Sequence, residues 1–197
     1  SAFYGEELVF ASARDTGGIF SRKHKWTNQS FTNLYQSKVD GDGNLQEADK
    51  FSKSTNSKFH ESTPVFTKDG KTMYFTRNNY VDGKKGKSGE KVMLLKILKA
   101  TLVDEKWENV VELPFNSNEY SVAHPALSPD DKTLYFASDM PGTLGASDLY
   151  KVSIDGDSYG EPENLGPVFN TEARETFPFI SDENELYFAS DGQLGLG

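Results

Sequence analysis

Residues 128–152 read SPDDKTLYFASDMPGTLGASDLYKV, and residues 181–197 restate the same phrase as SDENELYFASDGQLGLG. In KTLYFAS and DLYKVSI, apolar and polar residues alternate with the period of two that predicts a half-buried β-strand. Short tips rich in Asp, Asn and Gly stand between such runs and favour tight hairpin turns. The chain is therefore organised by a repeated β unit, and the period of that unit decides the fold.

The phrase occurs four times. Three copies begin FHESTPVFTKDGKTMYF at residue 59, YSVAHPALSPDDKTLYF at residue 120 and ARETFPFISDENELYF at residue 173. Their prolines, Pro64, Pro125 and Pro178, lie 61 and 53 residues apart. A shortened fourth copy opens the chain, where Val9 stands in the place of Tyr187. Val9 lies 65 residues before Tyr74, so the period is about 52 to 65 residues, with loops of variable length.

Each copy continues into a second pair of short apolar runs, so one unit holds four strands in a meander of roughly fifty residues, which is typical of a propeller blade. Proline lacks an amide donor and is accepted at a sheet edge, and the first strand of a blade is an edge that faces the central channel. We predict an all-β fold, a β-propeller fragment of about three and a half four-stranded blades. The expected blades span residues 1–57, 58–118 and 119–171, with an incomplete fourth blade at 172–197.

Bulk composition limits the function. The formal net charge of −9 and the pI of about 4.9 argue against a nucleic-acid partner, because phosphate binding needs a basic surface. The absence of cysteine excludes disulfides, zinc–thiolate sites and a cysteine nucleophile. No apolar run is long enough to span a membrane. We expect no cofactor and no direct membrane insertion.

Four stretches carry a family resemblance: LVFASARDTGG from residue 8, HESTPVFTKDGKTMYFTRNN from residue 60, SVAHPALSPDDKTLYFASDMPGTLGASDLY from residue 121 and ETFPFISDENELYFASDGQLGLG from residue 175. They resemble the WD40-like (PD40) repeats of TolB-type propellers, and most of all the propeller region of OmpA-family envelope proteins of the Bacteroidetes. The resemblance covers essentially the whole chain.

That resemblance implies a periplasmic protein associated with the outer membrane, similar to the peptidoglycan-associated component of type IX secretion and gliding machinery. In that family peptidoglycan is held by a C-terminal domain whose sequence is not among these residues. The partners implied for the propeller itself are envelope proteins.

Catalytic residues are not indicated. His24, His60 and His124 occupy non-equivalent repeat positions, and none stands in a recognisable nucleophile motif. Asp40, Asp42 and Asn44 have the first spacings of a calcium loop, but Leu45 stands where that loop requires glycine, so a hairpin tip fits better. Those three residues remain a weak calcium candidate, and no other metal site is predicted.

Binding residues are sought among positions that differ between repeats, because positions that recur in every repeat are explained by folding. In the innermost strands these positions should line the channel mouth, and the polar candidates there are Glu61, Ser62, Thr63, His124, Glu175 and Thr176. The long insert at residues 14–35 adds aromatic and basic side chains suited to protein recognition, and its contact candidates are His24, Trp26 and Phe31.

Two functions follow as hypotheses. The first is a non-enzymatic protein-binding scaffold whose blades hold loops and channel mouth rigidly. The alternative is a glycan- or peptide-processing propeller enzyme with its site at the channel mouth.

Overall fold

The computed structural model describes residues 1–14, 31–57, 59–78, 80–81, 84–85 and 94–194. The regular structure within these ranges consists of β-strands, and none of it is a helix long and apolar enough to cross a bilayer.

Sheet 1 is an antiparallel meander in which each strand pairs with the next one along the chain. Its strands are β1 (Ala2–Tyr4), β2 (Glu7–Ser12), β3 (Asn33–Lys38) and β4 (Asp49–Lys50). Sheet 2 has the same plan, with a small hairpin inserted between its second and third strands. Its strands and the inserted pair are β5 (Glu61–Phe66), β6 (Thr72–Asn78), β7 (Tyr80–Val81), β8 (Lys84–Lys85), β9 (Leu95–Val103) and β10 (Lys106–Glu112).

Sheet 3 repeats the meander with its outer strand split into two short pieces, both paired to the third strand. Its strands are β11 (Val122–Leu127), β12 (Thr133–Ser138), β13 (Asp148–Asp155), β14 (Ser158–Tyr159) and β15 (Glu163–Asn164). Sheet 4 holds two strands in the described residues, β16 (Glu175–Ile180) and β17 (Leu186–Ser190).

Apolar clusters fill the spaces between neighbouring sheets. The cluster between sheets 1 and 2 contains Val9, Leu34, Met73, Phe75, Leu98, Ala100 and Trp107. The cluster between sheets 2 and 3 contains Tyr74, Ile97, Leu113, Phe115, Val122, Leu127, Leu134, Phe136, Met140, Tyr150 and Val152. Because successive residues of a strand point to opposite faces, sheet 2 contributes Phe75 to one cluster and Tyr74 to the other. A sheet buried on both faces is what the propeller prediction requires.

A recurring asparagine fastens each sheet to the chain that leaves it. Asn56 accepts a hydrogen bond from the backbone N–H of Leu34 and donates to its carbonyl, at 2.7 and 2.9 Å. Asn116 makes the same pair of bonds with Ile97, and Asn170 makes it with Leu149. The amide side chain thus pairs with the backbone of the third strand in each complete sheet, as a residue of a neighbouring strand would.

The four innermost strands, β1, β5, β11 and β16, lie next to one another in that order, and the sheets form an arc that does not close. Pro64, Pro125 and Pro178 occupy β5, β11 and β16, each an edge strand of its sheet. The prediction of an all-β propeller fold is confirmed, and so is the argument that placed these prolines at the channel edge.

Candidate functional site: a cavity at the propeller channel

The innermost strands enclose a cavity of about 540 Å³ at the channel. Its lining comes from Ser1 and from all four sheets: Ser1, Ala2, Phe3, Leu8, Thr63, Pro64, Val65, His124, Pro125, Ala126, Leu127, Phe177, Pro178, Phe179 and Ile180. No carboxylate, lysine or arginine is among these lining side chains. Three of the rings remain open to solvent, since Phe3, Phe177 and Phe179 are 65%, 54% and 61% exposed. The cavity is therefore accessible, and its lining side chains are uncharged and mostly apolar.

The backbone is strained at the same point in three of these strands. Thr63, His124 and Phe177, each directly before a proline, have φ values of 45°, 58° and 52°. The left-handed region is unusual for non-glycine residues, above all for a β-branched or bulky one, and a following proline further disfavours helical conformations. The pairing of each inner strand with its neighbour shifts register there, which makes each site a β-bulge. Recurrent strain of this kind turns these three side chains toward the cavity, whose lining includes all of them.

His124 bridges neighbouring blades. Its ring lies on that of Phe177, with centroids 3.9 Å apart. Its backbone N–H donates to the hydroxyl of Thr76 at 2.9 Å, and that hydroxyl also hydrogen-bonds Thr63 Oγ1 at 2.7 Å. Its Nδ1 is buried and finds no hydrogen-bonding partner among the described residues. Burial lowers the pKa of His124 from 6.5 to about 4, so the imidazole is neutral near pH 7.

Glu61 and Glu175 lie elsewhere, and the expectation that they line the channel mouth is corrected. Both side chains are 0% exposed. Glu61 accepts hydrogen bonds from the backbone N–H and hydroxyl of Ser57 and from Arg77 Nε, the last at 2.9 Å. Glu175 accepts from the backbone N–H and hydroxyl of Thr171, at 2.9 and 2.7 Å, and from Ser190 Oγ at 2.6 Å. Each carboxylate binds the loop that arrives from the preceding sheet, so its role is structural.

The remaining inner-strand candidates divide in the same way. Thr63 and His124 line the cavity, whereas Ser62 and Thr176 are half-buried residues outside its lining. Ser62 lies opposite Thr76 and Thr176 opposite Ala189, on the side of each bulge nearer the buried glutamates. Their part in binding stays a prediction.

The contact-loop candidates are placed only in part. His24 and Trp26 lie outside the described residues. Phe31 is half-buried, and its ring packs against His60 with centroids 4.8 Å apart and against Phe59 at 6.5 Å. His60 Nδ1 in turn accepts from the backbone N–H of Thr32 at 3.2 Å.

Asp40, Asp42 and Asn44 form a turn. Asp40 Oδ1 accepts from the backbone N–H groups of Asp42 and Asn44 at 3.0 and 2.8 Å, and these bonds lower the pKa of Asp40. Such a carboxylate-capped tip is what the hairpin interpretation predicts. Within the described ranges, no cluster of three or more His, Cys, Asp or Glu side chains could hold a metal ion.

Solved structures share this arrangement of sheets. TolB from Agrobacterium tumefaciens aligns with 94% of this chain at 17% identity and a TM-score of 0.55, and TolB from Acinetobacter baumannii aligns with 95% at 14% identity and a TM-score of 0.50. The fold is that of a TolB-type propeller. The chain spans 50% of the first of these proteins and 36% of the second.

The same fold also occurs in an enzyme. A puromycin-hydrolyzing peptidase of Mycobacterium tuberculosis aligns with 81% of this chain at 15% identity, with a TM-score of 0.51 and 23% of its own length covered. No protein-family model and no curated protein sequence matches the chain. At these identities the likeness establishes the TolB-type fold alone.

Most residues of the cavity region were not among the sequence candidates, and three of them are informative. Phe3 and Phe179 line the cavity from the first and last sheets. The hydroxyl of Thr76, in the second strand of sheet 2, accepts a hydrogen bond from the backbone N–H of His124. The signal for Thr76 was present, because YFTR of β6 replaces the YFAS of β12 and β17. The hydroxyl therefore occurs at one repeat and is absent at the equivalent Ala137 and Ala189.

Acid should destabilise the protein through His124, and replacing His124 with Asn should remove that effect. Because the pKa of His124 is lower in the folded chain, the unfolded chain binds more protons between pH 6.5 and 4, so the free energy of unfolding falls as the pH is lowered through this window. From pH 7 to 4.5 we expect the wild type to lose about 2 kcal/mol more than H124N. Urea denaturation at each pH measures both proteins.

The other titrating groups are common to both proteins and cancel in the difference. Asparagine also tolerates a positive φ, and any relief of strain is independent of pH. Parallel pH profiles for the two proteins would contradict the placement of a neutral, buried His124.

Proposed function

We propose that the chain is a non-enzymatic protein-binding scaffold whose principal contact surface is the channel cavity. The observation that carries this proposal is a cavity lined mostly by apolar side chains, in which three phenylalanine rings are each more than half exposed. Accessible apolar patches with aromatic rings are features of recognition sites. Sheet 2, which is packed on both faces, holds the inner strand β5 in place.

The setting we propose is the periplasm, in association with the outer membrane. The four repeat phrases resemble the propeller of OmpA-family envelope proteins of the Bacteroidetes, and the TolB-type fold of the sheets agrees with that resemblance. The partner would then be an envelope protein, with type IX secretion or gliding as the process served. Peptidoglycan would be bound through a C-terminal domain of such a protein.

The geometry around His124 favours binding over catalysis. A general base is held and oriented by a hydrogen-bonding partner, and it must accept a proton near neutral pH. His124 Nδ1 has no such partner among the described residues, and burial holds its pKa at about 4. Turnover of envelope peptides or glycans by the purified chain would instead indicate the processing enzyme.

Photo-cross-linking tests the proposal. The protein would carry p-benzoylphenylalanine at position 177, or at exposed Val168 as a control outside the cavity, in the envelope of the source organism. We expect one protein to be captured from position 177 and not from position 168. The captured protein, made in pure form, should bind the purified chain with a Kd of about 1 μM or lower.

Two results would contradict the proposal. One is equal capture from both positions, or no binding by the purified candidate. The other is turnover of envelope peptides or glycans by the purified chain that H124N abolishes, which would establish the enzyme alternative.

A further inference from the structure

The described residues contain five Asp–Gly pairs, which share one chemical liability. The pairs begin at Asp40, Asp42, Asp69, Asp155 and Asp191. Because glycine has no side chain, its backbone nitrogen meets little steric hindrance on its way to the carboxyl carbon of the preceding aspartate. That attack closes a succinimide ring, which water reopens either to aspartate or to isoaspartate. The folded structure decides which pair reacts, since it either holds or frees the two groups involved.

Hydrogen bonds hold the carboxylates of two pairs. Asp40 Oδ1 accepts from the backbone N–H of Asn44 at 2.8 Å. Asp69 Oδ1 accepts from the hydroxyl of Thr67 at 2.6 Å and from the backbone N–H of Lys71 at 2.9 Å. These bonds fix the two carboxylates, and they lower the pKa of both carboxyl groups. The protonated carboxyl, which is the form that the nitrogen attacks, is therefore depleted at Asp40 and Asp69.

Other bonds hold the attacking nitrogen of two further pairs, Asp42–Gly43 and Asp191–Gly192. The N–H of the first glycine donates to the carbonyl of Asp40 at 3.0 Å. The N–H of the second donates to Ser190 Oγ at 3.0 Å. Each nitrogen must give up its hydrogen bond before it can turn toward the carboxyl group.

Among these pairs, Asp155–Gly156 is the one in which both groups are free. Asp155 lies opposite Ser158 in the hairpin of β13 and β14, so Gly156 and Asp157 form a two-residue turn. Gly156 has a φ of 59°, as a type II′ turn requires at its first central position. Neither the N–H of Gly156 nor the carboxylate of Asp155 hydrogen-bonds any described residue, and both residues are exposed.

From these observations we propose that Asp155 is a site of spontaneous isoaspartate formation, the first of the described Asp–Gly pairs to react in the folded chain. The nitrogen of Gly156 forms a bond to Cγ of the protonated Asp155 carboxyl, whose OH leaves as water with the amide hydrogen. A second water then opens the ring. Opening at Cγ restores aspartate, whereas opening at the α-carbonyl leaves the nitrogen on Cγ and gives isoaspartate. The site is separate from the channel cavity, whose lining includes no residue of β13 or β14.

The product disturbs the contact between sheets 2 and 3. Isoaspartate adds one atom to the backbone at residue 155, at the start of the turn that carries Asp157. Asp157 Oδ1 lies 2.5 Å from Lys99 Nζ, and the side chain of Lys99 is only 10% exposed. Beyond the turn, the hydroxyl of Tyr159 hydrogen-bonds that of Tyr74 at 3.0 Å. A longer turn displaces both contacts and leaves a buried ammonium without its carboxylate, so the modified protein is less stable.

Ageing of the purified chain tests the inference. The wild type would be incubated in H₂¹⁸O at pH 7.4 and 37 °C and digested in ordinary water, and electron-transfer fragmentation would locate each isoaspartate. We expect isoaspartate to accumulate first at residue 155, with one ¹⁸O atom gained there at each ring opening. In guanidinium chloride the five pairs should react at similar rates, because the hydrogen bonds that distinguish them are lost.

Asp155→Glu is the matched control. Glutamate keeps the negative charge at this exposed position, but its longer side chain has to close a larger imide ring, which forms more slowly. After the same incubation the variant should carry no isomer at residue 155 and should unfold at a higher urea concentration than the aged wild type. Treating the aged wild type with protein isoaspartyl methyltransferase and S-adenosylmethionine should restore its midpoint.

Three results would each overturn the inference. The first is isoaspartate that appears at residue 155 no sooner than at residues 40, 42, 69 and 191 of the folded chain. The second is an equal preference for residue 155 in guanidinium chloride, which would assign the reactivity to local sequence. The third is isoaspartate at residue 155 without ¹⁸O. Equal urea midpoints for aged wild type and aged Asp155→Glu would refute the disturbance of sheets 2 and 3.

Discussion

Replacing Phe136 with alanine should lower the free energy of unfolding by about 3–5 kcal/mol, as expected for removal of a buried aromatic ring from a packed core. Phe136 is 0% exposed at the centre of the cluster between sheets 2 and 3. Its ring stacks on Phe115 at 4.9 Å between centroids and on Tyr150 at 5.9 Å. The substitution removes one ring contact with the segment that follows β10 and one with β13, and urea denaturation followed by circular dichroism measures the loss.

The repeat supplies a matched control. Phe188 stands at the equivalent position of β17, where LYFAS recurs, but it is only half-buried and its described ring contact is Phe169 at 6.5 Å. Phe188→Ala should therefore cost less, about 1–2 kcal/mol. A loss from Phe188→Ala equal to that from Phe136→Ala would contradict the view that stability resides in the clusters between complete sheets.

The second large effect is expected at Glu61. Replacing Glu61 with alanine should lower the free energy of unfolding by about 3–5 kcal/mol, because the cationic side chain of Arg77, itself 14% exposed, loses its partner. The loop at Ser57 loses its acceptor in the same step. Denaturation by urea at pH 7.5 measures the loss.

Two further variants make that test specific. Glu163→Ala removes a carboxylate from the exposed pair with Lys151, whose charged atoms are 3.4 Å apart, and it should cost under about 1 kcal/mol. Arg77→Ser places at this position the residue that the fourth repeat has there, since Ser190 donates to Glu175 at 2.6 Å. It should cost less than Glu61→Ala. If Glu61→Ala cost no more than Glu163→Ala, the structural role assigned to Glu61 would be refuted.

The fold could be predicted from the sequence because its determinants are periodic. The alternation in KTLYFAS indicates the pleated strand, and the Asp-rich tips indicate the turns. The prolines at one position of each repeat independently indicate the edge strands. Each of these signals was repeated, so irregular segments such as the insert between β6 and β9 did not obscure them.

The site was predicted only in part, because the prediction assigned every polar residue that precedes the proline of an inner strand to the channel mouth. Counting back from Pro64 assigns Glu61, Ser62 and Thr63 to one surface, whereas the positive φ of Thr63 redirects the chain and leaves Glu61 buried. Residues before proline ordinarily avoid helical φ and ψ values, so nothing in the sequence announced the change. One pattern does mark the buried glutamates. Asn-Ser at 56–57 precedes Glu61, and Asn-Thr at 170–171 precedes Glu175 by the same number of residues.

The hydrogen bonds of Asn56 and Glu61 also make one sheet depend on residues that follow it in the chain. Asn56 hydrogen-bonds the backbone of Leu34 in the third strand of sheet 1. The loop that carries Asn56 is itself hydrogen-bonded to Glu61, the first residue of the next sheet. The contacts of sheet 1 are therefore complete only when the first residue of β5 is in place. Neighbouring sheets are coupled through the chain that connects them as well as through their apolar faces.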